Sequence, residues 1–421
     1  MFKKILALTL TVVMIAALCV SFASCSLSSK KGEGKEILPR KEITSTVEVP
    51  ADFKIGLITL HDENSTYDKN FIDAFKQVCT AMGIAEENFI IKSNIPEGVE
   101  CYDTAKDLAN RGCKVVFADS FGHEQYMVQA AREFPNVQFC HATGVTAKTL
   151  NLANFHNAFA AIYEGRYLAG IVAGKKLNEM IESGKIKAEE AVMGYVGAFT
   201  YAEVVSGLSS FYLGAKSVCP SVTMKVRFTG SWYDQGLEQE AANSLITDKC
   251  VLISQHADSL GAPTACQQAG VPNVSYNGST YSAGKTTWLV SSAINWAPYF
   301  QYIIEETVKG NNFATDWTGT IATNSVVLSG LNLDVVADGT DEAVQAALDG
   351  FKNGTLHVYD TSKFTVKVTT DNVTVSGVTL TSLNCPYVHD GYFDESNAET
   401  TMSAPYFAYE IDGIEFLNSE Y

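Results

Sequence analysis

The chain carries 10 cysteines and 7 histidines in 421 residues, yet no two cysteines have CxxC spacing and no two histidines stand at metal-ligand spacing. His61, His123, His141, His156, His256, His357 and His389 are each isolated, which argues against a zinc site. Beyond Cys19 and Cys25, the cysteines are Cys79, Cys101, Cys113, Cys140, Cys219, Cys250, Cys266 and Cys385. Most lie in apolar-periodic segments, where a thiol reads as a small buried hydrophobe and not as half of a disulfide framework. Basic residues are scarce: 30 Lys and Arg face 47 Asp and Glu, for a net charge of −17. Phosphates are collected by basic surface, so no nucleic-acid partner is expected. Long apolar runs are rarer still, with Ile5 to Val20 the one of any length.

That run follows Lys3 and Lys4 and ends at Phe22-Ala23-Ser24 before Cys25, the order of a secretion signal closed by a lipid-attachment cysteine. Residues 1–24 are therefore read as a lipoprotein signal peptide and Cys25 as the lipidated residue, with Phe22 departing from the usual aliphatic side chain. Two plainer readings are ordinary cleavage leaving a free Cys25, and a retained anchor. The run falls short of the roughly 18 to 20 residues that a span needs. Loss of Lys3 and Lys4 with the signal takes the charge from −17 to −19. Residues 25–50, polar and poor in aromatics, are expected to form a disordered tether.

From Asp52 the pattern becomes strand and helix units. Phe53 to Leu60 is a short apolar run, Asn70 to Met82 has helical periodicity, and Lys114 to Ala118 precedes a helical segment from about His123. Ala191 to Val196, Thr223 to Phe228 and Cys250 to Ser254 alternate with helical segments in the same way. Such alternation predicts an α/β protein with parallel sheets flanked by helices. A long helical segment from Ala158 to about Met180 separates two groups of units, so two lobes are expected. The tail from Phe364 alternates in strand fashion through Val375 and reads as an antiparallel addition to the second lobe.

Three enzyme-like motifs fail. Ala118-Asp-Ser-Phe-Gly122 resembles a nucleophile elbow, but Ala118 replaces the first glycine and no triad partner is identifiable. Gly278 to Thr286 resembles a phosphate loop with five residues between its glycines instead of four, and a strand follows where a helix is needed. His256-Ala-Asp258 pairs a base with a carboxylate but lacks a nucleophile. What recurs instead is a set of aromatic and polar residues just past strand ends: His61 to Asp68, Asp119 to Gly122, Phe199 to Glu203, Gly230 to Tyr233, Gln255 to Asp258 and Tyr276 to Gly278. Rings beside amides and carboxylates suit a flat polar ligand, the rings stacking on its faces and the polar groups pairing with its edges. Each of these residues can equally cap a helix or finish a lobe surface.

At these residues the chain resembles the basic membrane protein family of substrate-binding lipoproteins, which includes purine nucleoside receptors of ABC importers. The resemblance runs from about Phe53 to Val358. It rests on Ile95-Pro-Glu-Gly98, Ala118 to Gly122, Glu164 to Gly174 with its Tyr-Leu-Ala-Gly core, Gly194 to Gly197 with Ala202 to Val205, and Ser231 to Asp234 with Ser254 to Ser259. Asn295-Trp296 is similar to the branch related to positive regulators of competence. The resemblance implies a two-lobed type I periplasmic-binding fold that closes on its ligand by hinge motion, with crossovers near Asn154, Gly284 and Trp317. Lobe 1 is then residues 51–155 plus 286–317, and lobe 2 is 156–285 plus 318–421.

It also implies a non-enzymatic, lipid-anchored receptor on the extracytoplasmic face, partnered by a permease and needing no cofactor or metal. Tyr67 and Trp232 are the candidate stacking rings. Ser120, Phe121, Gln255, Asp258 and Asn277 are candidates at the ligand edge, together with Glu203 and Trp296. Nucleoside receptors of the family hold ribose with an aspartate and a lysine at positions where this chain has Asn277 and Ile294. A free purine base, or another small planar polar molecule, therefore fits better than an intact nucleoside, and the expected ligand is a purine-type nucleobase or nucleoside. The rivals are a sugar or autoinducer receptor, a sensor without transport, and a surface hydrolase using Ser120.

Overall fold

Fourteen strands, paired into two large sheets, carry the fold of the computed structural model, which describes residues 32–367, 373–375, 378–380, 382–396 and 402–421. The signal segment, Cys25 and residues 26–31 lie outside the described residues, as do residues 368–372 of the expected tail strand. In chain order the strands are β1 (Glu33–Leu38), β2 (Ile55–Ile58), β3 (Phe89–Lys92), β4 (Val115–Ala118), β5 (Gln138–Ala142), β6 (Phe155–Ala160) and β7 (Val192–Gly197). Then come β8 (Thr223–Phe228), β9 (Leu252–His256), β10 (Asn273–Tyr276), β11 (Trp288–Ile294), β12 (Asp316–Gly319) and β13 (Val326–Asn332). The tail adds β14 (Val373–Val375), β15 (Val378–Leu380), β16 (Val388–His389), β17 (Tyr392–Phe393) and β18 (Ile414–Phe416).

The first lobe is built on a six-stranded sheet of order β12-β6-β5-β4-β2-β3, parallel throughout. The second is built on an eight-stranded sheet of order β1-β13-β11-β10-β9-β7-β8-β18. Its strands are parallel from β11 to β18, while β13 runs antiparallel to β11 and β1 antiparallel to β13. Central strands such as β2 and β4 are buried along their whole length, which is why they read as continuous apolar runs without alternation.

Helices cover the sheets by burying one apolar face. Helix Thr66–Ala81 starts at Ser65, whose side chain accepts from the Asp68 amide, and buries Phe71, Phe75 and Val78 one turn apart. In the second lobe, helices Ile162–Glu182 and Ala202–Val218 touch backbone to backbone. A Cβ on Gly170 would lie 2.0 Å from the Phe211 carbonyl oxygen, and one on Gly214 2.0 Å from that of Tyr167. The glycine of the Tyr-Leu-Ala-Gly block is thus a contact requirement.

Three differences from the sequence expectation stand out. First, β11 belongs to the second sheet, so the middle crossover comes after Ile294 and not near Gly284. Residues 277–287 make turns without a covering helix, and β11 therefore lies directly beside β10 in the same sheet. The other crossings follow β6 and β12, a few residues beyond Asn154 and Trp317.

Second, the expected tether is structured from residue 33. Strand β1 pairs with β13 at Glu36↔Gly330 and Leu38↔Leu328, and Ile37 and Leu38 pack against the second-lobe core while Ile43 and Val49 pack against the first-lobe core. The Lys41 amide donates to Asn324 Oδ1 at 2.8 Å, Asn324 Nδ2 to the Pro39 carbonyl at 2.9 Å, and Gln301 Nε2 to the Thr44 carbonyl at 2.7 Å. The segment thereby straps the two lobes together beside the third crossover. A few apolar residues spread among charges look disordered by composition, but an edge strand needs only one buried face.

Third, the tail is antiparallel in its hairpins β14–β15 and β16–β17 and in the bridges Asp360↔Tyr392 and Val366↔Ile411, while β18 joins the sheet edge parallel to β8. It packs closely, with Phe407 stacked on Tyr359 at 4.0 Å between ring centres. Among the described residues no helix is long and apolar enough to cross a membrane. Seven of the eight cysteines named above are buried and all eight are free thiols.

Candidate functional site

All parallel strands aim their carboxyl ends at the gap between the lobes, where ligands of open α/β sheets bind. The first lobe lines this cleft with Leu60, His61, Tyr67, Asp68, Ser120, Phe121 and Thr143, and the second with Glu203, Trp232, His256, Asp258 and Tyr276. They leave about 20 Å³ of free space between them. The lobes also touch directly. The Thr66 amide donates to the Asp258 carbonyl at 3.0 Å and Asn70 Nδ2 to the Asn277 carbonyl at 2.7 Å, which describes a closed cleft.

The polar groups on the first-lobe side are mostly engaged within their own lobe. Tyr67 Oη donates to the Asp119 carbonyl at 2.8 Å, and Ser120 Oγ to Glu97 Oε1 at 2.6 Å. Asp68 accepts from the His61 amide at 2.8 Å and from Ser65 Oγ at 2.6 Å. Burial works to raise its pKa, but these hydrogen bonds outweigh burial and hold the carboxyl below its ordinary value. Asp119 behind it is pushed well up by burial and by the Asp68 charge.

The second-lobe side is aromatic. Trp232 meets Phe199 edge-on at 5.0 Å, and Phe199 stacks on Tyr201 at 4.9 Å. His256 lies 4.3 Å from the Tyr276 ring, with Nε2 3.6 Å from Glu203 Oε1. Burial lowers the His256 pKa, so the imidazole is neutral. Burial and the Asp68 charge raise Asp258 well above the usual carboxylate range, and Asn277 Nδ2 donates to its Oδ1 at 3.2 Å. Tyr276 Oη is buried without a protein hydrogen-bond partner, and His256 Nε2 has only the long approach of Glu203 Oε1. Among the described residues no lysine or arginine lines the cleft. The nearby Arg166 is spent inside the second lobe on Ser254 Oγ at 2.8 Å and Tyr195 Oη at 3.1 Å.

The Ser120 hydroxyl is given to Glu97 and not to a histidine. His141 Nε2 faces the Ser120 carbonyl oxygen at 2.6 Å instead of its hydroxyl, and His123 Nε2 faces the Ile95 carbonyl at 2.9 Å. Among the described residues no group of three or more His, Cys, Asp or Glu could hold a metal ion.

A family model for PnrA-like ABC transporter substrate-binding proteins matches residues 57–362. The chain belongs to this family. Among its relatives is a purine-binding protein of Brucella abortus, 32% identical over 273 residues that make up 63% of this chain and 72% of that protein. A Haloferax volcanii protein named for glucose binding in an ABC transporter is 32% identical over 250 residues, 59% of this chain and 60% of its own length. An ABC transporter solute-binding protein of Conexibacter woesei superposes with a TM-score of 0.58 at 21% identity, covering 72% of this chain and 98% of that one. The fold is thus the two-lobed periplasmic-binding fold, and the PnrA-like family places the protein among extracytoplasmic substrate-binding components of ABC transporters.

Of the nine candidate residues, Tyr67, Ser120, Phe121, Glu203, Trp232 and Asp258 line the cleft of this PnrA-like protein. Gln255, Asn277 and Trp296 do not. Gln255 is fully buried and turns its Nε2 to the carbonyls of Ala257 and Ser259, both at 3.3 Å. Asn277, at a φ of 65°, reaches Asp258 instead of the cleft. Trp296 belongs to the first-lobe core, stacked on Phe71 at 4.3 Å, because the chain has already crossed back when it reaches this residue. His61, Asp68, Thr143, His256 and Tyr276 were missed as individuals although all but Thr143 fall in the strand-end segments. Strand alternation was the unused signal: neighbours in β9 point to opposite faces, so His256 in the cleft sends Gln255 away from it.

Proposed function

We propose that the protein is a membrane receptor, lipid-anchored through Cys25, that holds a purine-type base in the inter-lobe cleft and presents it to an ABC permease. One observation carries the ligand reading: an aromatic cleft without a lining cation among the described residues, in which Tyr276 Oη is buried unpaired and His256 Nε2 meets only Glu203 Oε1, at 3.6 Å. Buried polar atoms are costly to leave unpaired, so a ligand that supplies both partners gains from them. A purine does so with its ring nitrogens and exocyclic groups while its faces rest against Trp232 and Tyr67. Each stacked face contributes about 1 to 3 kcal/mol.

Charge narrows the class further. An ionised Asp68 with no lysine or arginine on the walls disfavours phosphorylated or carboxylated ligands, since a buried anion without a paired cation is strongly destabilised. The name of the Brucella relative supports a purine. Asn277 and the apolar, buried Ile294 leave ribose without the charged partners expected in a nucleoside receptor. A hexose is the second reading, favoured by the name of the Haloferax relative and by carboxylates that can accept from sugar hydroxyls.

Thermal-shift measurements on the chain from Ser26, which keeps β1, separate these readings. Adenine, guanine or hypoxanthine at 100 times the dissociation constant should stabilise the fold by about 2.7 kcal/mol, with AMP ineffective. Stabilisation by glucose and by no purine would overturn the base reading. For the anchor, a full-length Cys25→Ala chain should leave the membrane fraction, and one that stays there would sink lipidation.

A further inference from the structure

Beside the cleft lies a second chamber of about 230 Å³, lined by Phe121, Thr143, Val145, Tyr201, Ala202 and Glu203 from the two lobes and closed by Met402, Ala404, Pro405 and Tyr406. Phe121, Thr143 and Glu203 line both spaces. The closing wall comes from the tail, outside the residues 57–362 that match the family model. That wall is held firmly. Glu395 Oε1 accepts the Tyr406 amide at 2.8 Å and the Phe407 amide at 2.5 Å, while its Oε2 accepts from Ser206 Oγ at 2.6 Å on helix Ala202–Val218. At the other end of the tail, the Tyr421 carbonyl accepts the Thr200 amide at 3.1 Å, next to Tyr201.

The chamber is apolar apart from Glu203, Thr143 and the Tyr406 hydroxyl, which donates to the Asp394 carbonyl. Three of the eight large apolar side chains exposed on the described surface, Phe121 at 39%, Val145 at 42% and Tyr201 at 41%, gather at this one opening. Phe121 and Tyr201 face each other from opposite lobes at 5.3 Å between ring centres. Met402, Ala404 and Tyr406 are recessed and buried, so the feature is a pocket and not a flat docking patch.

We propose that this chamber is a second subsite, built by the tail, that takes an apolar substituent projecting from the base past Phe121 and Tyr201. It rests on the base reading and deepens it: the ligand class becomes a purine carrying an alkyl or aryl group, for which the tail-built wall selects. A polar ribose would find only Glu203 and Thr143 to pair with here.

Calorimetry with adenine and N6-benzyladenine tests the assignment. The wild-type chain should bind N6-benzyladenine at least tenfold more tightly than adenine. Ala404→Trp fills the chamber from the tail, and Val145→Trp narrows it from an exposed position where misfolding is not at issue. Each variant should lose tenfold or more for N6-benzyladenine while adenine changes by less than twofold. Adenine bound with N6-benzyladenine rejected by the wild type, or both ligands weakened equally by Val145→Trp, overturns the subsite and leaves the base reading standing. Failure of both purines to bind the wild type overturns the two together.

Discussion

On the first-lobe wall of the cleft, Tyr67, Asp68 and Ser120 have their polar atoms hydrogen-bonded within their own lobe. On the second-lobe wall, Tyr276 Oη is buried without a partner, His256 Nε2 has only a 3.6 Å approach to Glu203 Oε1, and the surroundings are rings. Both walls are made of the same element, the carboxyl end of a parallel strand, so the contrast is one of commitment and not of architecture. A committed wall is preorganised and costs little to close, whereas an uncommitted one has hydrogen-bonding capacity left for a ligand. Unspent hydrogen-bonding capacity therefore lies on the second lobe and preorganised shape on the first.

The largest test of this contrast concerns what stands behind the second wall. Burial raises Glu395 to about 7, and it braces both the tail and helix Ala202–Val218, which carries Glu203. A carboxyl whose folded pKa lies above its unfolded value contributes stability that is present below about 4.5 and lost as the pH rises to about 7. The loss is about 1.4 kcal/mol per pH unit over that window, or about 3 kcal/mol in all. Glu164 and Glu238 are raised in the same direction, so the readout is the difference between wild type and Glu395→Gln in denaturant unfolding from pH 4.5 to 8. The variant should show a shallower decline. Parallel curves would remove Glu395 as the brace.

Ligand affinity gives the next two effects. Trp232→Ala should weaken purine binding by about 10- to 100-fold, in keeping with about 1 to 3 kcal/mol for a stacked base. Tyr276→Phe removes an unpartnered hydroxyl, so it should cost about tenfold in affinity while leaving the melting temperature unchanged. Unchanged affinity in both would erase the distinction between the walls.

The smallest expected effect is on the committed side. Ser120→Ala should alter purine affinity by no more than about twofold, because its hydroxyl serves Glu97, which also accepts from the Gly122 amide at 2.7 Å. A larger loss would mean that the first wall reads the ligand as well.

Much of this was legible in the sequence, and the misses have physical causes. Alternating apolar and amphipathic segments predicted the parallel sheets, and polar clusters past strand ends located the cleft, because those positions cannot serve a buried core. Trp296 was misplaced since an indole at a strand end has the same local pattern whether it faces a cleft or, as here, stacks on Phe71. Asn277 was assigned to the ligand because amide side chains look alike whether they bind a base or hold Asp258. The strap at β1 and the tail-built chamber were invisible for a different reason: both depend on pairings across hundreds of residues, Glu36 with Gly330 and Ser206 with Glu395. No local window contains such information.

The most direct measurement is isothermal titration of the chain from Ser26, wild type and Tyr276→Phe, with adenine, guanine and hypoxanthine. Saturable one-to-one heat with a base, weakened about tenfold in the variant, is the result expected if the second-lobe wall reads a purine. No saturable heat with any of the three bases would contradict it.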